Sequence, residues 1–243
     1  MIRGLYAAAS GLQAASEQQD VTAYNLANSS TSGYRERGLV YESFDRVLGR
    51  IDAPTGDIDG VHVVQAYSDF RTGALQATGQ PYDLALADPD RFFVLNGPNG
   101  QIYTRNGNFY PNAEGQLISQ GGYTLQGEDG PITIPRESTK FNIASDGSIT
   151  ANDEQVGRIR LVRFANVGQL TAAGPSLYTA PPSAGRQNVP GRVLQGYREG
   201  SNVQPADTMV RMIIGSRYYD AVQRSLRAIA DAIQLDTRPS QGS

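Results

Sequence analysis

Both ends of this chain carry an apolar pattern with the period of a helix, and the stretch between them breaks into short alternating runs separated by turns. From Ile2 to about Asn28, the residues Ile2, Leu5, Ala9, Leu12, Ser16, Gln19, Ala23 and Leu26 recur at alternating steps of three and four. That is the a/d spacing of a coiled-coil seam. The helix it predicts is about 40 Å long at 1.5 Å per residue. Its stripe is thin, with three large aliphatics after Ile2, so the helix is marginal alone. From about Val203 to Leu235 a second pattern places Val210, Ile213, Ile214, Tyr218, Ala221, Val222, Leu226, Ile229 and Ile233 on a broader apolar face. Asn202 is a candidate N-cap and Pro205 falls in the first turn, where its missing N–H removes no intrahelical bond. Asp207 lies early, Arg224 and Arg227 late, the order a helix dipole favours. Each predicted helix holds an interior glycine, Gly11 and Gly215. Such a glycine costs about 1 kcal/mol relative to alanine and is kept more readily where another backbone packs close.

The middle predicts strands at Val61–Tyr67, Asp83–Ala87, Arg91–Asn96, Ile102–Arg105, Leu117–Ser119, Ile132–Ile134, Phe141–Ala144, Ser148–Thr150 and Gly157–Phe164. Asn-Gly, Asp-Gly and Glu-Gly turn signals separate them, and the chain's 27 Gly and 13 Pro fit so many turns. Residues 34–60 have weak periodicity and read as an extended connector, and Thr179–Gly185 reads as a loop. The fold class is therefore α+β: terminal helices and a central antiparallel β domain, an irregular sandwich or barrel. The divisions are 1–33, N-terminal helix; 34–75, connector; 76–198, β domain; and 199–243, C-terminal helix.

The chemistry is sparse. There is no Cys, which excludes disulfides and thiolate metal sites, and a single His, His62, which excludes a histidine-based triad or multi-histidine metal site. His62 sits in an alternating run and reads as a strand residue. Asp88 and Asp90 lack the spacing of a calcium loop and read as a Pro-containing turn. No phosphate loop or dinucleotide fingerprint occurs. We expect no catalytic, metal or cofactor-binding residues and no cofactor. A net charge of −3 gives no bulk basic field for nucleic acid. No window has the apolar length of a membrane span, and the N-terminus lacks the continuous apolar core of a cleaved signal.

The stretch from Gly4 to Arg37, GLYAAASGLQAASEQQDVTAYNLANSSTSGYRER, resembles the N-terminal signature of the bacterial flagellar rod and hook proteins. There a helix ends in Asn-Leu-Ala-Asn, followed by a Thr-x-Gly-aromatic-basic run; here these are Asn25, Leu26, Ala27, Asn28, Thr31, Gly33, Tyr34 and Arg35, the last standing where Lys is commoner. PYDLALADPDRFFVL, YTRNGNFYPNAEGQLISQGGYTLQG and LQGYREGSNVQPADTMVRMI continue the resemblance in order, the last being similar to the C-terminal signature. Tyr218 replaces a small residue of that pattern.

The resemblance implies a structural subunit of the flagellar basal-body rod. It would be exported through the flagellar type III apparatus without a cleaved signal and polymerise into the drive shaft crossing the periplasm. Its partners would be itself, other rod and hook subunits and the export apparatus, with neither nucleic acid nor membrane insertion. The terminal helices would pair as an inner coiled-coil layer and the β domain would lie outside. Length and the modest β domain favour a rod subunit over the longer hook protein, the proximal-rod type coming first, with a distal-rod or hook-like subunit as the alternative. A monomeric binding module and a wall-glycan hydrolase are the readings from other classes. The assembly interface expected from the seams and the signature is Ile2, Leu5, Leu12, Asn25, Leu26, Asn28, Gly33, Tyr34, Val203, Val210, Ile213, Ile214, Tyr218, Leu226, Ile229 and Ile233.

Overall fold

The structure, a computed structural model, describes residues 2–43, 61–98, 100–135, 138 and 140–237. It divides into two compact units. The first comprises Met1–Ala27, Arg37–Tyr67 and Gln204–Ser243, and the second Asn28–Glu36 and Ser68–Val203.

The first unit holds the two helices, α1 (Ile2–Ala27) and α2 (Pro205–Thr237), at the places the apolar periods predict. They pack against each other. A two-stranded sheet of β1 (Arg37–Ser43) and β2 (Val61–Ser68) completes it, with β1 against α1. The sequence reading placed Arg37–Ser43 in a connector; its Arg, Gly, Glu and Ser dilute the alternation, and it is a strand because β2 and α1 give it partners. Residues 44–60 of that expected connector lie outside the described residues.

The second unit is almost entirely strand. β3 (Leu75–Ala77) and β4 (Leu84–Leu86) are followed by the long hairpin β5 (Phe92–Gly97) and β6 (Gly100–Thr104). Then come β7 (Phe109–Pro111), β8 (Leu117–Ser119), β9 (Thr124–Leu125), β10 (Phe141–Ile143), β11 (Ser148–Ala151), β12 (Glu154–Arg158) and β13 (Leu161–Phe164). The last are β14 (Thr171–Ala172), β15 (Leu177–Thr179), β16 (Arg186–Asn188), β17 (Val193–Gln195) and β18 (Tyr197–Glu199). A nine-stranded antiparallel sheet runs β14-β15-β6-β5-β9-β8-β7, with β13 also on β5 and β16 on β13. β10-β11-β12 form a second sheet, and β17-β4 and β18-β3 are separate pairs.

β5 explains why one sheet serves two cores. Phe92, Phe93, Val94 and Leu95 are all buried. Because side chains alternate across a strand, Phe93 and Leu95 enter a core with Leu84, Leu117 and Ile149, while Phe92 and Val94 enter another with Tyr103, Phe164 and Tyr178. Phe164 meets Phe92 edge-on at 5.6 Å and Tyr103 at 4.8 Å between ring centres.

Two strand expectations change. Gly157–Phe164 is not one strand: β12 ends at Arg158 and β13 starts at Leu161, so the run passes from one sheet to another. Ile132–Ile134 makes only a bridge between Thr133 and Gln116, although Ile132 and Ile134 are buried. The turn Asn152–Asp153 takes two left-handed residues, φ 51° and 67°, without any glycine to announce it.

The deepest polar feature is ionic. Glu199, at the end of β18, is 1% exposed and accepts from two arginines that are equally buried. Arg35 Nη2 lies 2.5 Å from its Oε1, and Arg105 Nη2 and Nε lie 2.6 and 2.8 Å from its Oε2. Gly73 N–H donates to Oε1 at 3.0 Å. Arg105 spends its other N–H groups on the carbonyls of Asp88, Arg91 and Leu86. Burial pushes the Arg105 guanidinium below its ordinary value, and the Glu199 charge opposes that shift. Removing the single anion leaves two cations facing each other out of water. Glu199→Gln, which keeps the volume and loses the charge, is expected to destabilise the β unit by about 3–5 kcal/mol. A urea melt of the full chain followed by tyrosine fluorescence reads this, and an unchanged midpoint would refute the role given to the cluster.

Candidate assembly surface on the terminal helices

α2 has two apolar faces where the sequence suggested one. Met212, Gly215, Tyr219, Val222, Leu226 and Ile229 step by three and four along one side and are half-buried. Val210, Ile213 and Ile214 lie on the other side, joined by Met209, with Tyr218 on the flank between the two faces, and all five stay exposed: Ile213 at 57% and Ile214 at 62%. Five neighbouring large apolar side chains left in water on one helix are a patch that normally awaits a partner.

On α1 the buried row is also displaced. The expected seam residues Leu12, Gln19, Ala23 and Leu26 are half-buried and Ser16 is exposed, whereas Ala14, Ala15, Thr22 and Asn25 are buried. Strand β1, read from sequence as connector, covers that flank. Asn25 grips it as another strand would, its Oδ1 accepting from Arg37 N–H at 2.9 Å and its Nδ2 donating to Arg37 C=O at 2.8 Å. Tyr41 O–H donates to Gln18 Oε1 at 2.7 Å, and the Arg37 guanidinium stands 4.4 Å from the Tyr24 ring centre. Burial pushes the Tyr41 hydroxyl above the ordinary phenol range, with the Glu17 charge adding to it.

The two helix glycines differ in what they accommodate. A Cβ on Gly215 would lie 2.6 Å from Gln19 Oε1, so its absence lets α1 and α2 approach. Gln19 Nε2 in turn reaches Met212 C=O at 3.5 Å. A Cβ on Gly11 would meet nothing within 4 Å. Gly11 opens instead onto an apolar hollow of about 250 Å³, lined by Ala14, Ala15, Gln18, Tyr41, Gly215 and Tyr218.

The remaining signature residues serve the chain's own fold. Asn28 builds a turn, its carbonyl accepting from Thr31 N–H at 3.0 Å and its Oδ1 from the Thr31 hydroxyl at 3.3 Å. Gly33 takes the left-handed conformation, φ +68°, where a side chain would strike the Arg105–Asn106 backbone. Tyr34 is fully buried and Val203 nearly so, both in the second unit. Asn202 does not cap α2, which starts at Pro205. It accepts from Glu36 N–H at 2.7 Å and donates to the carbonyls of Asp69 and Arg71 at 2.8 and 3.0 Å. Ile2 and Leu5 belong to α1 and Ile233 to α2, with side chains outside the described residues; His62 falls in β2, likewise. Asp88 accepts from Arg192 N–H at 2.7 Å and Asp90 pairs with Arg91, so both acids have structural partners. No described helix is long and apolar enough to cross a membrane.

Three family models match the chain in order: the flagella basal body rod protein model at 5–35, the D1 domain of flagellar hook protein FlgE/F/G at 88–151, and the flagellar basal body rod FlgEFG C-terminal model at 194–234. The chain is 31% identical to the flagellar basal-body rod protein FlgG of Buchnera aphidicola subsp. Schizaphis graminum, over 96% of itself and 98% of that protein. The chain belongs to the flagellar basal-body rod family. It is also 32% identical to FlgF of Salmonella typhimurium, over 94% of each, and 28% identical to FlgG of Bacillus subtilis. Each matched segment of this rod-family chain supplies one member of the buried ionic cluster: Arg35, Arg105 and Glu199.

The sequence patterns missed the separation of the two faces of α2. The signal was present but ambiguous, because Met212, Gly215, Tyr219, Val222, Leu226 and Ile229 alternate strictly between steps of three and four, while Val210, Ile214 and Tyr218 also recur at helical spacing, by steps of four. Ile214→Asp is expected to leave the thermal midpoint of the dilute chain nearly unchanged, within about 0.5 kcal/mol for an exposed site. The same change should abolish its self-association on concentration, read by light scattering. A large loss of thermal stability would show that the ridge is part of the chain's own core.

Proposed function

We propose that this chain is a structural subunit of the flagellar basal-body rod, with no reaction of its own, and that it polymerises through α1 and α2. The observation that carries the reading is the exposed apolar ridge of α2 on a rod-family chain. A ridge that stays in water in the free chain has reason to be there in a subunit whose helices are buried only among neighbours. The half-buried row of α2 supports pairing of α1 and α2 as a coiled coil, with Leu12, Leu26, Leu226 and Ile229 in the inner layer. Ile2, Leu5 and Ile233 extend that layer by their register. Asn25, Asn28, Gly33, Tyr34 and Val203 fix the chain around it, and the second unit forms the outer layer. The divisions 1–33, 34–75, 76–198 and 199–243 describe this layering along the chain. Other rod and hook subunits are its partners, the flagellar export apparatus delivers it without a cleaved signal, and its place is the basal body. Nucleic acid and membrane insertion have no part in it.

Between rod positions we favour the proximal one. The alignments to FlgF of Caulobacter vibrioides and of Salmonella typhimurium span 239 and 248 residues, near this chain's own 243. Those to the FlgG proteins of Buchnera aphidicola subsp. Schizaphis graminum and Caulobacter vibrioides span 259 and 266. Immunogold labelling of isolated basal bodies is expected to mark the rod at its membrane-near end. Label restricted to the hook-near end would move the chain to the distal rod, and label absent from the basal body would overturn the function. Leu12→Asp and Ile229→Asp each put a charge into the layer and are expected to abolish swimming, since a buried unpaired charge is strongly penalised. Tyrosine fluorescence of the β unit should be unchanged in both.

A further inference from the structure

The segment from Val193 to Val203 is the last of the second unit in chain order, and it reaches into most of what precedes it. It carries β17 and β18, the strand partners of β4 and β3. β4 is buried at all three residues, and its Leu84 and Leu86 share a core with Val193. Gln195 ties two more places, its Nε2 donating to Pro81 C=O at 2.8 Å and its Oε1 accepting from Ile143 N–H at 3.0 Å. Arg198 Nε lies 3.1 Å from the buried carboxylate of Asp83. Glu199 brings the carboxylate for Arg35 and Arg105, and its backbone carbonyl accepts from Gly33 N–H at 2.8 Å.

Until this segment docks, the sites it fills cannot close without penalty. Arg35, Arg105 and Asp83 would be buried without the charges that pair them, which is worse than leaving the chain in water. β4 would be a buried strand without its ladder, its peptide groups in part unpaired. Glu199 lies 164 and 94 residues beyond its two arginines, so no local contact replaces it.

We propose that Val193–Val203 is a closing strap: the second unit stays unfolded until this segment is available and then forms in one step. Along the chain, the polar run after α1 comes first and waits for the strap, which immediately precedes α2 at Pro205. A chain that is made, or passed through a channel, N-terminus first therefore remains unfolded over the second unit until most of it has emerged. The purpose of that delay rests on the rod-subunit reading, in which the export apparatus delivers the chain; the strap itself rests only on contacts within the second unit.

Native-state hydrogen exchange of the full chain reads the coupling. In the strap, Gly196 N–H is bonded to Asp83 C=O and Gly200 N–H to Ala74 C=O. In and beside the large sheet, Leu117 N–H is bonded to Ile132 C=O and Gln126 N–H to Val94 C=O. The two sets are expected to exchange within about tenfold of each other, because strap and sheet open together. A strap exchanging faster than that, with the sheet still protected, opens alone and would overturn the proposal. Val193→Ala loosens the strap without touching the ion cluster and should speed both sets by the same factor. Acceleration of the strap set alone would overturn the proposal as well.

Chains halted during synthesis read the order. With residues through Pro190 outside the ribosome, protease should cut the second unit as fast as it cuts the chain in urea. With residues through Ser216 outside, cutting should slow by about tenfold or more, since cleavage follows the population of the open form. Protection already present at Pro190 would overturn the strap and leave the rod function standing. Absence of the chain from isolated basal bodies would overturn the rod function and the purpose given to the delay, with the exchange and cleavage results unaffected.

Discussion

Glu199 is the one buried anion between Arg35 and Arg105, and the three residues come from three distant parts of the chain. An ion pair out of water stabilises little by itself, because the desolvation of its members offsets their attraction. What it enforces is register. Arg35 has its carboxylate partner only if the polar run after α1 returns to β18, and Arg105 only if the β5–β6 hairpin lies alongside. Any other arrangement buries a guanidinium without a partner. Around the cluster, Gly33 donates its N–H to the carbonyl of Glu199 itself, and Asn202 fastens Glu36, Asp69 and Arg71. The polar residues after α1 are thus internal fasteners of the second unit.

The helices follow a different physics. α2 carries more apolar surface than α1 covers, and no described residue covers the rest. α1 places one flank under β1 and part of another against α2, and α2 keeps Val210, Ile213, Ile214 and Tyr218 in water. A monomer selected only for its own stability would have polar residues there. In the proposed rod assembly those side chains gain their burial from other subunits.

Much of this was legible beforehand, for reasons that differ by element. α1 and α2 are long, and a 3.6-residue period accumulates over many turns, so their ends fall within a residue or two of expectation. β5 was legible because Phe92–Leu95 is buried on both faces and reads as a continuous apolar run. β14, β16 and β18 were not, because strands of two or three residues with exposed or charged side chains carry no period. Nothing local in the sequence singles out Glu199, because its partners lie 164 and 94 residues away, beyond any local pattern. Asn202 had the form of a helix cap, but its amide found better-placed backbone groups in three other residues.

The sequence by itself determined the two terminal helices, the β-rich middle, the lack of a thiolate or multi-histidine site and the family, since each depends on local periods, residue types or motifs read in order. Only the tertiary structure decided which residues of those helices are covered and which stay exposed. Burial is not a property of a stripe but of what lies against it: β1 took the flank of α1 that holds Asn25, Gln19 filled the space above Gly215, and nothing described filled the space above Gly11.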